Sequence, residues 1–154
     1  MGKIPEYVSN YIAYNYIHIV YISVMKMNWS EVIISGIILL ALDSIYLTTF
    51  GGFFNNLINT IQGSKIKFRL SGAIMCYILI IFGLNYFVIQ PHKPVFDAAI
   101  LGFIIYGVYE TTNYTIIDKW RSSAVIIDTV WGAILFALTT YITYMILPFT
   151  PTKF

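Results

Sequence analysis

The sequence is short of nearly everything that marks a soluble enzyme. One cysteine, Cys76, stands in 154 residues, so no intrachain disulfide can form, no thiolate metal site is expected, and the residue reads as buried packing. Of the two histidines, His18 has no ligand partner at metal-binding spacing and reads as a polar tip at the interface, and His92 reads as a solvated turn residue; metal ligation is otherwise left open, and no cofactor is expected. Charged residues make up only 10% of the chain, against about 25% in soluble domains. The few cations are scattered, with a net charge of +2, which excludes a nucleic-acid-binding patch. There is no Gly-rich phosphate loop, Ser/His/Asp set, HExxH pattern, internal repeat or heptad seam. The balance leans away from an enzyme.

What remains is apolar. Hydrophobic residues are 58% of the chain and mean hydropathy is +0.76. A small soluble domain leaves too much surface wet to hide so much hydrocarbon, so the chain is read as integral to a membrane and multi-pass, with the lipid bilayer as its first partner. The fold class is an all-α transmembrane bundle of four helices, with spans at about 32–50, 70–89, 96–117 and 124–147, each near the roughly 20 residues that a bilayer requires. The four-helix domain is 28–149 and 150–154 is a tail. The N-terminal segment, 1–27, is open between a fifth spanning helix and an interfacial one, since it is apolar but crowded with Tyr, which prefers the headgroup zone.

Local signals place the ends. Asn28 can cap the first span, with Glu31 returning a bond to the backbone. Gly51-Gly52 is expected to stop that span, leaving Asn55 to Arg69 as a polar connection. Gly72 and Gly83 offer small positions in the second span where another helix could approach. Pro91 and Pro94 bracket a tight turn. Ser122 or Ser123 is expected to cap the fourth span. Positive charge in the connections after spans one and three points to a cytoplasmic location for both. Trp29 and Trp120 read as anchors at the membrane boundary.

Three carboxylates interrupt the spans: Asp43, Glu110 and Asp128. Acids inside a bilayer are rare and commonly functional. Asp43 and Glu110 each lie about 10 Å from the end of their spans, and Asp128 about 6 Å past the start of its own, at roughly 1.5 Å per residue. All three depths are measured from one membrane face. Gly102, Tyr106, Glu110 and Asn113 share a face of the third span by their spacing, and Asp128, Trp131, Leu135 and Thr139 share one of the fourth. The expected cluster is therefore Asp43, Glu110, Asn113 and Asp128, supported by Tyr46, Tyr106 and Trp131, with Lys119 and Arg121 as basic partners for the outermost acid.

The runs Leu42-Asp43-Ser44-Ile45-Tyr46-Leu47, Tyr106-Gly107-Val108-Tyr109-Glu110-Thr111-Thr112-Asn113, Trp120, and Val125-Ile126-Ile127-Asp128-Thr129-Val130-Trp131-Gly132 resemble the signature of the DUF2177 family of predicted membrane proteins, found in bacteria and some large DNA viruses. The resemblance covers roughly Ser30 to Leu147 and implies a four-helix membrane fold without an assigned activity. The chain departs from it in Glu110, where the family commonly shows Asp, and in what reads as an added N-terminal segment.

Three functions fit these observations. The leading one is a structural or assembly component of a membrane, a viral membrane included, working with copies of itself or with other membrane proteins. The alternatives are a proton, cation or small-solute transporter or channel using the carboxylates, and a membrane enzyme acting on a lipid.

Overall fold

The first helix forms because its start is strongly signalled and its body offers no reason to stop. The structure, a computed structural model, describes residues 27–147 together with residues 7, 8, 11, 14 and 15. Helix α1 spans Trp29–Gln62. Asn28 caps it: its side-chain oxygen accepts from the Ser30 N–H at 3.1 Å and its amide donates to Glu31 Oε1 at 3.0 Å. Glu31 thus engages the cap's side chain rather than its backbone. The Asn28 N–H goes instead to Gln90 Oε1, and Gln90 Nε2 donates back to the Asn28 carbonyl, which ties the start of α1 to the far end of the next helix.

The expected stop at Gly51-Gly52 does not occur. A glycine in a helix costs only about 1 kcal/mol relative to alanine, and the following residues continue the apolar face, with Leu57 fully buried. The helix ends eleven residues later at Gly63, whose φ of 71° places it in the left-handed region and whose N–H closes on the Asn59 carbonyl. Here glycine is favoured, because this conformation costs an L-residue steric energy. At 34 residues, α1 is about 51 Å long, well beyond the roughly 30 Å hydrocarbon core. The polar connection shrinks to residues 63–69.

Helix α2 spans Leu70–Leu84 and passes into a π-helical turn at Asn85–Ile89. Asn85 is fully buried. Its amide donates to Ser35 Oγ on α1 and to the Ile81 carbonyl, both at 2.8 Å. The widened register begins where this side chain shares the Ile81 carbonyl with the Asn85 backbone N–H, as inserted side chains commonly produce. The Pro91–Pro94 turn follows, and Pro94 immediately precedes α3, Val95–Ile116. A tight turn with Lys119 at φ 70° leads into α4, Ser122–Ile146. Neither serine caps α4. Arg121, extended at φ −94° and ψ 135°, takes that position without a side-chain bond, because the preceding turn ends there; Ser122 and Ser123 fall inside the first helical turn.

Among the described residues, α1, α2 continued through its π-helical turn to Ile89, α3 and α4 are each long and apolar enough to cross a membrane. The tightest contact is between α3 and α4. A Cβ at Gly102 would strike the Gly132 carbonyl oxygen, and would lie 2.8 Å from the Gly132 carbonyl carbon and 2.9 Å from Phe136 Cβ. Gly132 in turn lies under the Tyr106 ring. The small positions expected in α2 are not used this way: nothing lies within 4 Å of where a Cβ would sit at Gly72 or Gly83. The buried cluster joins Leu39, Ile80, Leu84, Val88, Ile89, Ala98, Leu135 and Phe136. Large apolar side chains such as Ile37, Ile45, Phe103 and Ile104 are exposed, the distribution expected when lipid is the solvent. Cys76, read from sequence as a buried packing residue, is exposed, because it lies on the outer side of α2, where an apolar thiol needs no protein neighbour in lipid. The choice between a spanning and an interfacial helix for 1–27, and the tail at 150–154, fall outside the described residues apart from the few given above.

Candidate functional site

The polar centre is built on one local arrangement used twice. On α1, Asp43 precedes Tyr46 by three residues; on α4, Asp128 precedes Trp131 by three. Residues three apart share a helical face. The two helices run antiparallel, so the acid of each meets the aromatic donor of the other. Tyr46 Oη donates to Asp128 Oδ1 at 2.9 Å, and Trp131 Nε1 donates to Asp43 Oδ1 at 2.9 Å. The two rings stack between the acids, with centroids 4.4 Å apart and planes 5° from parallel. This reciprocal clamp joins α1 to α4.

Each acid then takes a further partner. Asp43 Oδ2 accepts from Tyr77 Oη on α2 at 2.6 Å, so both of its oxygens are occupied by neutral aromatic donors. Asp128 stands within hydrogen-bonding reach of Glu110 on α3. Glu110 is 1% exposed, and its Oε2 accepts from Trp120 Nε1 at 2.8 Å. Ionised carboxylates are acceptors only, so a hydrogen bond between Glu110 and Asp128 requires one proton held between them. The chain of contacts runs Tyr77, Asp43, Trp131, Tyr46, Asp128, Glu110, Trp120 and draws on all four helices and the α3–α4 turn.

The residues expected from sequence divide into four groups. Asp43, Tyr46, Glu110, Asp128 and Trp131 are joined as described, although Asp43 sits one helical turn from the Glu110–Asp128 pair and reaches it through the stacked rings. Tyr106 contributes packing, lying against Gly132 and edge-on to Phe136 at 6.3 Å. Asn113 is half-buried, and its amide nitrogen is enclosed without a hydrogen-bond partner. Lys119 and Arg121 are exposed, and the donor to Glu110 is the indole between them, Trp120.

Sequence reasoning missed Tyr77, and it assigned Trp120 to the membrane boundary alone. Tyr77 had a usable signal, since it stands mid-span in a helix without charge, away from the headgroup zone that Tyr prefers. Trp120 had a weaker one, its place within the spaced polar signature. Among the described residues no group of three His, Cys, Asp or Glu side chains is arranged to hold a metal ion.

A cleft of about 350 Å³ opens beside the acid pair, within the roughly 300–1,000 Å³ range of small-molecule sites. Glu110 and Asp128 line it together with Leu47, Phe54, Ile58, Tyr109 and Trp120, and Gln62, Ile66 and Lys67 complete the lining. The unexpected C-terminal extension of α1 therefore supplies one wall. Asp43 does not line this cleft.

A family model described as a predicted membrane protein, DUF2177, matches residues 7–145. The match begins well before Ser30, so the N-terminal segment is largely within the family's extent and is not an addition to it. No curated protein and no solved structure matches the chain.

Proposed function

The chain belongs to the DUF2177 family of predicted membrane proteins, and from that premise we propose that it is a multi-pass carrier that binds a proton or a small cation at the Glu110–Asp128 pair. The observation that carries this reading is the cleft. A scaffold's buried acids need only satisfied hydrogen bonds, and Asp43 has those from Tyr77 and Trp131. The other two acids differ. They stand within hydrogen-bonding reach of each other and both line an opening. Two carboxyl groups sharing a proton in a low-dielectric site form a group that can trade that proton for another cation with little movement.

In this reading Asp43 has a positioning role. It fixes Trp131, whose ring holds Tyr46, which in turn holds Asp128. Trp120 holds Glu110 from the turn side. The test is flux in proteoliposomes. Wild-type protein is expected to pass protons or monovalent cations down an imposed gradient, and Glu110→Gln and Asp128→Asn to abolish that flux while the purified variants remain helical and monodisperse. Unchanged flux in both variants defeats the reading and returns the acids to a purely structural role.

A further inference from the structure

The wall of the same cleft narrows the kind of cation it would take. We infer that its cargo is a lipophilic organic cation, a positive charge carried on an apolar body; this rests on the reading of the Glu110–Asp128 pair as a cation site. The inference comes from the lining rather than from the acids alone. Phe54, Tyr109 and Trp120 supply three aromatic side chains, and Leu47, Ile58 and Ile66 supply aliphatic surface. A hydrated inorganic ion gains nothing from such a wall and loses its water against it. An organic cation keeps little water, buries hydrocarbon against Leu47 and Ile58, and is attracted by aromatic faces. Glu110 and Asp128 supply the negative charge that neutralises it.

The charged and titratable side chains of the lining are Glu110, Asp128, Tyr109 and Lys67. Lys67 is exposed and opposes a cationic ligand. That opposition makes it diagnostic. For a cation, removing or reversing Lys67 strengthens binding; for an anionic amphiphile such as a phospholipid headgroup, the same change weakens it.

The experiment measures equilibrium binding of tetraphenylphosphonium to the purified full chain in detergent, with tetraphenylborate as the isosteric anion. The expected result is at least about tenfold tighter binding of the cation than of the anion, and a loss of about tenfold or more with Glu110→Gln. Lys67→Glu is expected to tighten cation binding by about two- to fivefold, the range for an exposed charge; it sits at the surface and tests the idea even if Glu110→Gln fails to fold. Equal binding of the two ions, or weaker cation binding in Lys67→Glu, overturns the inference. If proton flux depends on Glu110 and Asp128 but tetraphenylphosphonium does not bind, the cargo class is wrong and the carrier reading stands. If neither depends on the acids, both fall.

Discussion

Replacing Gly102 by alanine adds one methyl group at the point where α3 and α4 come closest. That Cβ would strike the Gly132 carbonyl oxygen and lie 2.8 Å from its carbon, against 3.4 Å for ordinary contact. The obstacle is mainly backbone, which no rotamer change can clear. The two helices must therefore separate by more than the 0.6 Å difference between 3.4 and 2.8. Overpacking of this kind costs about 1–3 kcal/mol, partly offset by about 1 kcal/mol of helix propensity gained from losing a glycine. The net expectation is a loss of about 1–2 kcal/mol, taking the overpacking cost toward the upper part of its range because backbone yields least. Separation also draws Glu110, two turns along the same face, away from Asp128. Gly51→Ala is the internal control. Nothing lies within 4 Å of its Cβ position, so only the propensity gain of up to about 1 kcal/mol remains. Reversible unfolding in mixed micelles, followed by circular dichroism and tryptophan fluorescence, reads both variants. The reasoning about close packing is refuted if Gly102→Ala matches or exceeds the wild type, or if the two substitutions shift stability in the same direction.

Two further outcomes follow from the site and the turns. Tyr46→Phe and Trp131→Phe each remove one interhelical hydrogen bond and should each cost about 0.6 kcal/mol, with an upper value near 1.7; because their rings stack between the same two acids, a double-mutant cycle should show coupling of about 0.5–1.5 kcal/mol, whereas simple additivity would mean the clamp does not act as a unit. Lys119 at φ 70° should be stabilised by replacement with glycine, by up to about 1 kcal/mol once glycine's extra unfolded-state freedom is set against the relief of left-handed strain, and a lowered unfolding midpoint would contradict that.

The amino-acid sequence determined the solvent, the class and the cast. With so little charge and such long apolar runs, burial in lipid was the outcome compatible with the hydrophobic effect, and four spans followed from length. Asp43, Glu110 and Asp128 were legible as anomalies for the same reason, since an ionisable group in hydrocarbon is costly wherever the rest of the chain goes. Periodicity placed Gly102, Tyr106 and Glu110 on one face because helical geometry is fixed by local sterics. What the tertiary structure decided was pairing and continuity. The acid-aromatic spacing in Asp43–Tyr46 and Asp128–Trp131 becomes a clamp only when antiparallel helices meet in register, and register depends on contacts such as Gly102 on Gly132 that no single segment encodes. The extension of α1 through Gly51-Gly52 was likewise undecidable locally: a glycine pair permits a stop or a continuation at similar cost, and Leu57, buried against its neighbours, tips the balance. That extension walls the cleft beside Glu110 and Asp128. The feature on which function is argued thus belongs to packing between helices, whereas the acids at its floor were visible from the start.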